Sequence, residues 1–142
     1  MMNSQADENR MEYAVSQASA TVNVSVSVSY VATGGNALSG AYQYSCTPDV
    51  VHVTEPNAVI NYALSAEAVD EFRITGVYTS DSFYHPQLAV ASKLDKLGLK
   101  SINLIHKNEL PTLINVALQV THITSQLRIS CDPQVTNEPN PS

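Results

Sequence analysis

Tryptophan is absent from the 142 residues, lysine and arginine together number seven, and cysteine occurs twice. Each scarcity excludes something. Without tryptophan, the core is not built on the buried ring of antibody-type domains. With so few bases, none of them clustered, no nucleic-acid partner is expected, because neutralising a phosphate backbone takes a basic patch. Thirteen acids bring the net charge to -6. Charged residues still make up only 14% of the chain, below the roughly 25% of typical soluble domains, and serine and threonine fill the difference.

Cys46 and Cys131 are too few for a disulfide scaffold and too far apart for a CxxC motif. They are either buried free thiols or one bridge, with free thiols expected in a reducing compartment. No GxGxxG or GxxxxGK[ST] loop is present, so no nucleotide cofactor is indicated. No GxSxG elbow exposes a nucleophile, and an enzyme is not expected. No apolar run approaches the ~18 residues of a membrane helix. The first twenty residues also lack the basic start and apolar stretch of a secretory signal, so the expectation is a cytoplasmic protein with no membrane partner.

What is present is period-two patterning. In "TVNVSVSVSY", residues 21–30, Val22, Val24, Val26 and Val28 alternate with Asn23, Ser25, Ser27 and Ser29, as in a strand with one face buried. Tyr42, Tyr44 and Cys46 share one face of a second run, and Ile60, Tyr62 and Leu64 one face of another, with a turn at Pro56-Asn57 between. Residues 65–70 suit a single helical turn. Phe72, Ile74 and Tyr78 then fall on one side of the next strand. Residues 88–106 read as a hairpin tipped by Asp95-Lys96-Leu97-Gly98, with Gly98 supplying a positive φ. Past the breaker "KNELPT", Ile114, Val116, Leu118 and Val120 align, and then Leu127, Ile129 and Cys131. Helical spacing occurs only at Met11, Ala14, Val15 and Ala18. The fold class predicted is all-β: an antiparallel, immunoglobulin-like β-sandwich of about 7–9 strands with a possible short N-terminal helix, a closed barrel being the alternative. Residues 1–20 form a polar N-terminal segment, 21–135 the single sandwich domain, and 136–142 a Pro-rich tail.

Three acid-proline pairs, Glu55-Pro56, Asp132-Pro133 and Glu138-Pro139, punctuate this pattern. A residue before proline is held extended, and proline cannot donate to a ladder. The first pair is expected to turn one strand into the next, the second to end the last strand, and the third to hold the tail open. The alternative makes Asp132 and Glu138 ligands for a hard cation such as calcium. Six residues of extended chain would part those carboxylates by ~20 Å unless the tail folds back.

The strand-rich body, "VTEPNAVINYAL" and "CDPQVTNEPNP" resemble the DP-EP family, small bacterial proteins of uncharacterised function with an immunoglobulin-like sandwich fold. The resemblance covers roughly residues 20–142. It implies the fold and supplies no site residues.

The remaining chemistry rests on scattered groups. His52, His85, His106 and His122 sit in no HExxH or Cys/His spacing, and His52 and His122 read as hydrogen-bonded strand residues. Asp81, Tyr84 and His85 are near neighbours in the loop "SDSFYHPQL". Seven tyrosines suit interfaces or sugar stacking, but the rim of the core, with hydroxyls at the surface, is the favoured reading. The leading expectation is a non-enzymatic structural or interaction module that self-associates through sheet edges or faces, hence a homo-oligomer. The alternative is a loop-based binder of a carbohydrate or divalent cation using Asp81, Tyr84, His85, Asp132 and Glu138.

Overall fold

The structure, a computed structural model, describes residues 20–81, 86–92 and 98–138. Ten strands follow in chain order: β1 (Thr21–Tyr30), β2 (Tyr42–Thr47), β3 (Val50–Val53), β4 (Ala58–Leu64), β5 (Phe72–Thr79), β6 (Leu88–Val90), β7 (Ser101–His106), β8 (Leu113–His122), β9 (Arg128–Cys131) and β10 (Gln134–Asn137). Sheet I has the order β2-β1-β4-β7-β6. Sheet II has the order β3-β10-β8-β5, with β9 also paired to β8. Both sheets are open, which sets the barrel aside.

Alternation builds the core. Val24, Val26 and Val28 of β1 point inward with Ile60, Tyr62 and Leu104 of sheet I, and meet Phe72, Ile74, Ile114, Leu118 and Val120 of sheet II in one cluster. Each fully buried side chain of this size contributes about 2 kcal/mol through the water it no longer orders. The expected sandwich is therefore present, but its sheets are mixed rather than antiparallel. β1 pairs with β4 in parallel, and so does β3 with β10. The chain leaves sheet I after β2, spends β3 in sheet II, and returns as β4, and this excursion sets β4 running beside β1 in the same direction.

Three local readings hold and three change. The turn at Pro56-Asn57 forms, with Asn57 at φ +58°. Residues 65–72 make helix-like bonds, Val69 N–H to Ser65 C=O and Phe72 N–H to Ala68 C=O, and the Ser65 hydroxyl caps the Ala68 amide. β6 and β7 pair as a hairpin and Gly98 takes φ +79°; its tip at residues 95–97 lies outside the described residues, as does the expected helix within residues 1–19.

Tyr78 does not share a face with Phe72 and Ile74. The register shifts between Ile74 and Gly76, so Tyr78 falls opposite Ala117 and faces outward, 66% exposed. Asp132-Pro133 does not end the last strand either. β9 pairs with β8 over Leu118–Thr121, the chain breaks at Asp132-Pro133, and β10 resumes beside β8 at Leu113–Asn115. Pro133 lacks a donor, but its carbonyl accepts from Val116 N–H, which carries the pairing across the break. Thr136 and Asn137, placed in the tail by the sequence pattern, belong to β10.

Candidate functional site

The strands end in loops that are tied down by side chains rather than by further ladder. At one end, β5 runs out into Ser80 and Asp81. Asp81 is 9% exposed, and its Oδ2 accepts from the backbone amides of Gln87, at 2.6 Å, and Leu88, at 3.1 Å. Gln87 Oε1 in turn accepts from the amides of Glu109 and Leu110. Asn137, the last residue of β10, accepts from Thr112 N–H through Oδ1 and donates through Nδ2 to Asn108 Oδ1 and the Leu110 carbonyl. Asn108 Nδ2 donates to the Glu138 carbonyl. The stretch read as a bare breaker, "KNELPT", is thus held by three buried amides. An unpaired buried backbone group costs about 1–3 kcal/mol, which is what these amides offset.

His106 closes the same end of the core. It is 0% exposed, and its Nδ1 accepts from the Asn108 amide at 2.8 Å. The neutral ring therefore carries its proton on Nε2, and that atom has no partner among the described residues. Burial pushes the imidazole below its ordinary range, and the nearby Asp81 charge opposes that shift without cancelling it. Asp81 Oδ1 is likewise buried and unpartnered among the described residues. Beside them a cleft of about 220 Å³ is lined by Asp81, Gln87 and residues 110–113. Of the two groups only Asp81 lines the cleft, and its carboxylate is an acceptor that suits a hydroxyl or water.

A second hollow, of about 370 Å³, opens where β2 passes β9. Tyr44, Cys46, Asp49, Asp132 and Pro133 line it. Both cysteines are free thiols on inward faces. Burial, with the Asp49 and Asp132 charges behind it, pushes the Cys46 thiol up to about 11, and burial raises Cys131 further. The Asp132 carboxylate accepts from the Ser130 hydroxyl at 2.9 Å.

Of the five expected loop residues, Asp81 lies in the first cleft and Asp132 in the second. Glu138 stands apart on the surface, its carboxylate 3.6 Å from His52 Nε2. Extended β10 separates Asp132 from Glu138, so the two do not form a joint cation site. Tyr84 and His85 lie outside the described residues. Among the described residues no group of three or more His, Cys, Asp or Glu is placed to hold a metal ion. His52 bonds Thr136 Oγ1 and His122 bonds the Tyr42 hydroxyl, both as strand residues. Tyr42 and Tyr62 are core rings, not rim rings.

These features define a class: a two-sheet β domain with one core, its end loops stitched by buried amides. More particularly, the chain belongs to the DP-EP family, whose model matches residues 8–139 and so reaches further into the N-terminal segment than the quoted motifs do. No curated protein matches it. The structural role of two of the acid-proline pairs is visible here: Asp132-Pro133 separates β9 from β10, and Glu55-Pro56 enters the turn into β4. No helix among the described residues is long and apolar enough to cross a membrane.

Proposed function

We propose that this domain is a non-enzymatic structural or interaction module that associates with copies of itself through its sheets. One observation carries the reading. Within the ten strands, Arg73 and Arg128 are the only Lys, Arg, Asp or Glu, although the whole chain holds twenty such residues. Edge strands are normally guarded by charge, proline or bulges. Here edges β2, β3 and β6 carry no charged side chain. On the outer side of sheet I, Ser25, Ser27 and Ser29 face Thr47, Ser45 and Gln43 in register, with Asn61 and Asn103 bonded to each other at 2.8 Å further along. Such short, uncharged side chains let a second sheet approach without burying charge.

Solution mass by light scattering across a wide concentration range, with reductant present, tests this. The expected result is a discrete homo-oligomer that Ser27→Glu paired with Ser45→Glu converts to a folded monomer. A wild-type chain that stays monomeric at the highest concentrations overturns it.

A second reading, a loop-based binder of a small polar ligand such as a glycan, is favoured by Asp81, which lines the first cleft and whose Oδ1 has no partner among the described residues. Under that reading members of a glycan panel raise the melting temperature, and calcium or zinc alone does not. A panel without any shift removes it.

A further inference from the structure

Two cysteines distant in sequence are brought together where the sheets converge. β2 belongs to sheet I and β9 to sheet II, yet their Cα atoms approach within 8 Å, closer than the roughly 10 Å between stacked sheets. Two contacts fix how they align. At one end the Tyr42 hydroxyl bonds His122 Nδ1 at 2.7 Å, beside the turn that leads into β9. At the other end Gln134 N–H donates to the Asp49 carbonyl at 3.0 Å. The two strands therefore run alongside each other in the same direction between these ties. Cys46 lies three residues before Asp49, and Cys131 three before Gln134. Both occupy inward positions, Cys46 in line with Tyr42 and Cys131 in line with Ile129.

We infer that Cys46 and Cys131 are a modification site: on meeting a low-molecular-weight disulfide such as oxidised glutathione, they close into one disulfide joining the two sheets. The order of events follows from exposure. Cys46, 9% exposed, lines the open hollow, whereas Cys131 is 0% exposed behind it. The Cys46 thiolate attacks one sulfur of the oxidant and displaces one thiol, leaving a mixed disulfide. Cys131 then loses its proton to solvent, and its thiolate attacks the Cys46 sulfur and expels the second thiol. Two protein thiols are oxidised and one small disulfide is reduced to two thiols. The high thiol pKa at Cys46 makes the first step slow at neutral pH and about tenfold faster per pH unit on the alkaline side.

Incubating the full chain with oxidised glutathione at pH 9, followed by intact mass and peptide mapping, tests this. The expected product is lighter by two hydrogens, carries a Cys46–Cys131 linked peptide, and remains one chain. Because the bridge closes a loop of about 85 residues, its melting temperature rises by on the order of 10 °C, and dithiothreitol reverses the gain. Cys131→Ser stops at a glutathione adduct on Cys46, and Cys46→Ser leaves Cys131 unmodified. Should either variant fail to fold, the wild-type peptide map decides alone. A stable adduct on wild-type Cys46, a bridge between two chains, or two free thiols after refolding in a glutathione redox buffer would each overturn the assignment.

Discussion

The Tyr42 hydroxyl meets His122 Nδ1 at 2.7 Å across eighty residues of sequence, pinning β2 of one sheet to β8 of the other. Phe72 stacks on the same imidazole with ring centroids 4.7 Å apart, and Ser125 Oγ lies 3.0 Å from the same Nδ1. Removing only the hydroxyl, as Tyr42→Phe, is expected to cost about 1–2 kcal/mol, because Ser125 satisfies the nitrogen only in part. Tyr42→Ala removes a fully buried ring as well and is expected to cost about 3–5 kcal/mol. Urea denaturation measures both, and an unchanged midpoint for Tyr42→Phe would show that packing alone holds this corner.

Gly98 is required twice over. Its φ of +79° suits glycine, and a Cβ there would come 2.9 Å from Arg73 Cβ and 3.0 Å from the Ile74 carbonyl oxygen. That close approach lets Leu99 bridge Ile74 and cover the free edge of β5. Gly98→Ala is expected to destabilise by about 2–3 kcal/mol and to raise amide exchange at Ile74 and Leu99, whose amides bond each other's carbonyls. Normal protection at those two amides in the variant would contradict this.

His106 gives the fold a dependence on pH. Its folded pKa lies below the ordinary histidine value of about 6.5 because burial disfavours the imidazolium. Over the window between the folded and unfolded values, the unfolded chain therefore binds more protons. Stability is complete above about pH 6.5 and falls as the solution is acidified through that window, by at most about 1.4 kcal/mol per pH unit. His106→Gln is expected to be less stable at pH 8 and to have a flatter profile between pH 7 and 5. An equally steep profile in the variant would place the dependence elsewhere.

Asn137 and Glu138 are adjacent and should behave oppositely. Asn137→Ala leaves Thr112 N–H and the Leu110 carbonyl without their partner, and is expected to cost about 2–4 kcal/mol. Glu138→Gln loses only an exposed contact to His52 and is expected to change stability by less than about 0.5 kcal/mol. Thermal melts of the two variants decide whether this end is held by the amides or by the carboxylate.

The strands were legible because alternation survives in single residues: Val24, Val26 and Val28 could face only one way once Ser25 and Ser27 faced the other. The outward turn of Tyr78 was hidden, since the bulge before Gly76 reverses parity without leaving a mark in the pattern. β10 was hidden because Asp132-Pro133 signals an ending, whereas a proline carbonyl can still accept a ladder bond. The site was less legible than the fold. Asp81 was singled out beside a loop, but Gln87, Asn108 and Asn137 acquire their roles only when distant segments meet. His106 gave a sequence signal only as the inward member of β7 after Ile102 and Leu104.

The first and last strands of the described fold, β1 and β10, are both interior strands. β1 lies between β2 and β4, and β10 between β3 and β8. A pull on the C-terminal end of the described fold meets a strand that β3 and β8 flank together over Gln134–Thr136. At the other end β1 starts on the β4 ladder alone, over Thr21–Val24, and gains its second flank from β2 only at Ser25. The two ends of the described fold therefore yield differently to force, the first by unzipping one ladder and the last by breaking two together.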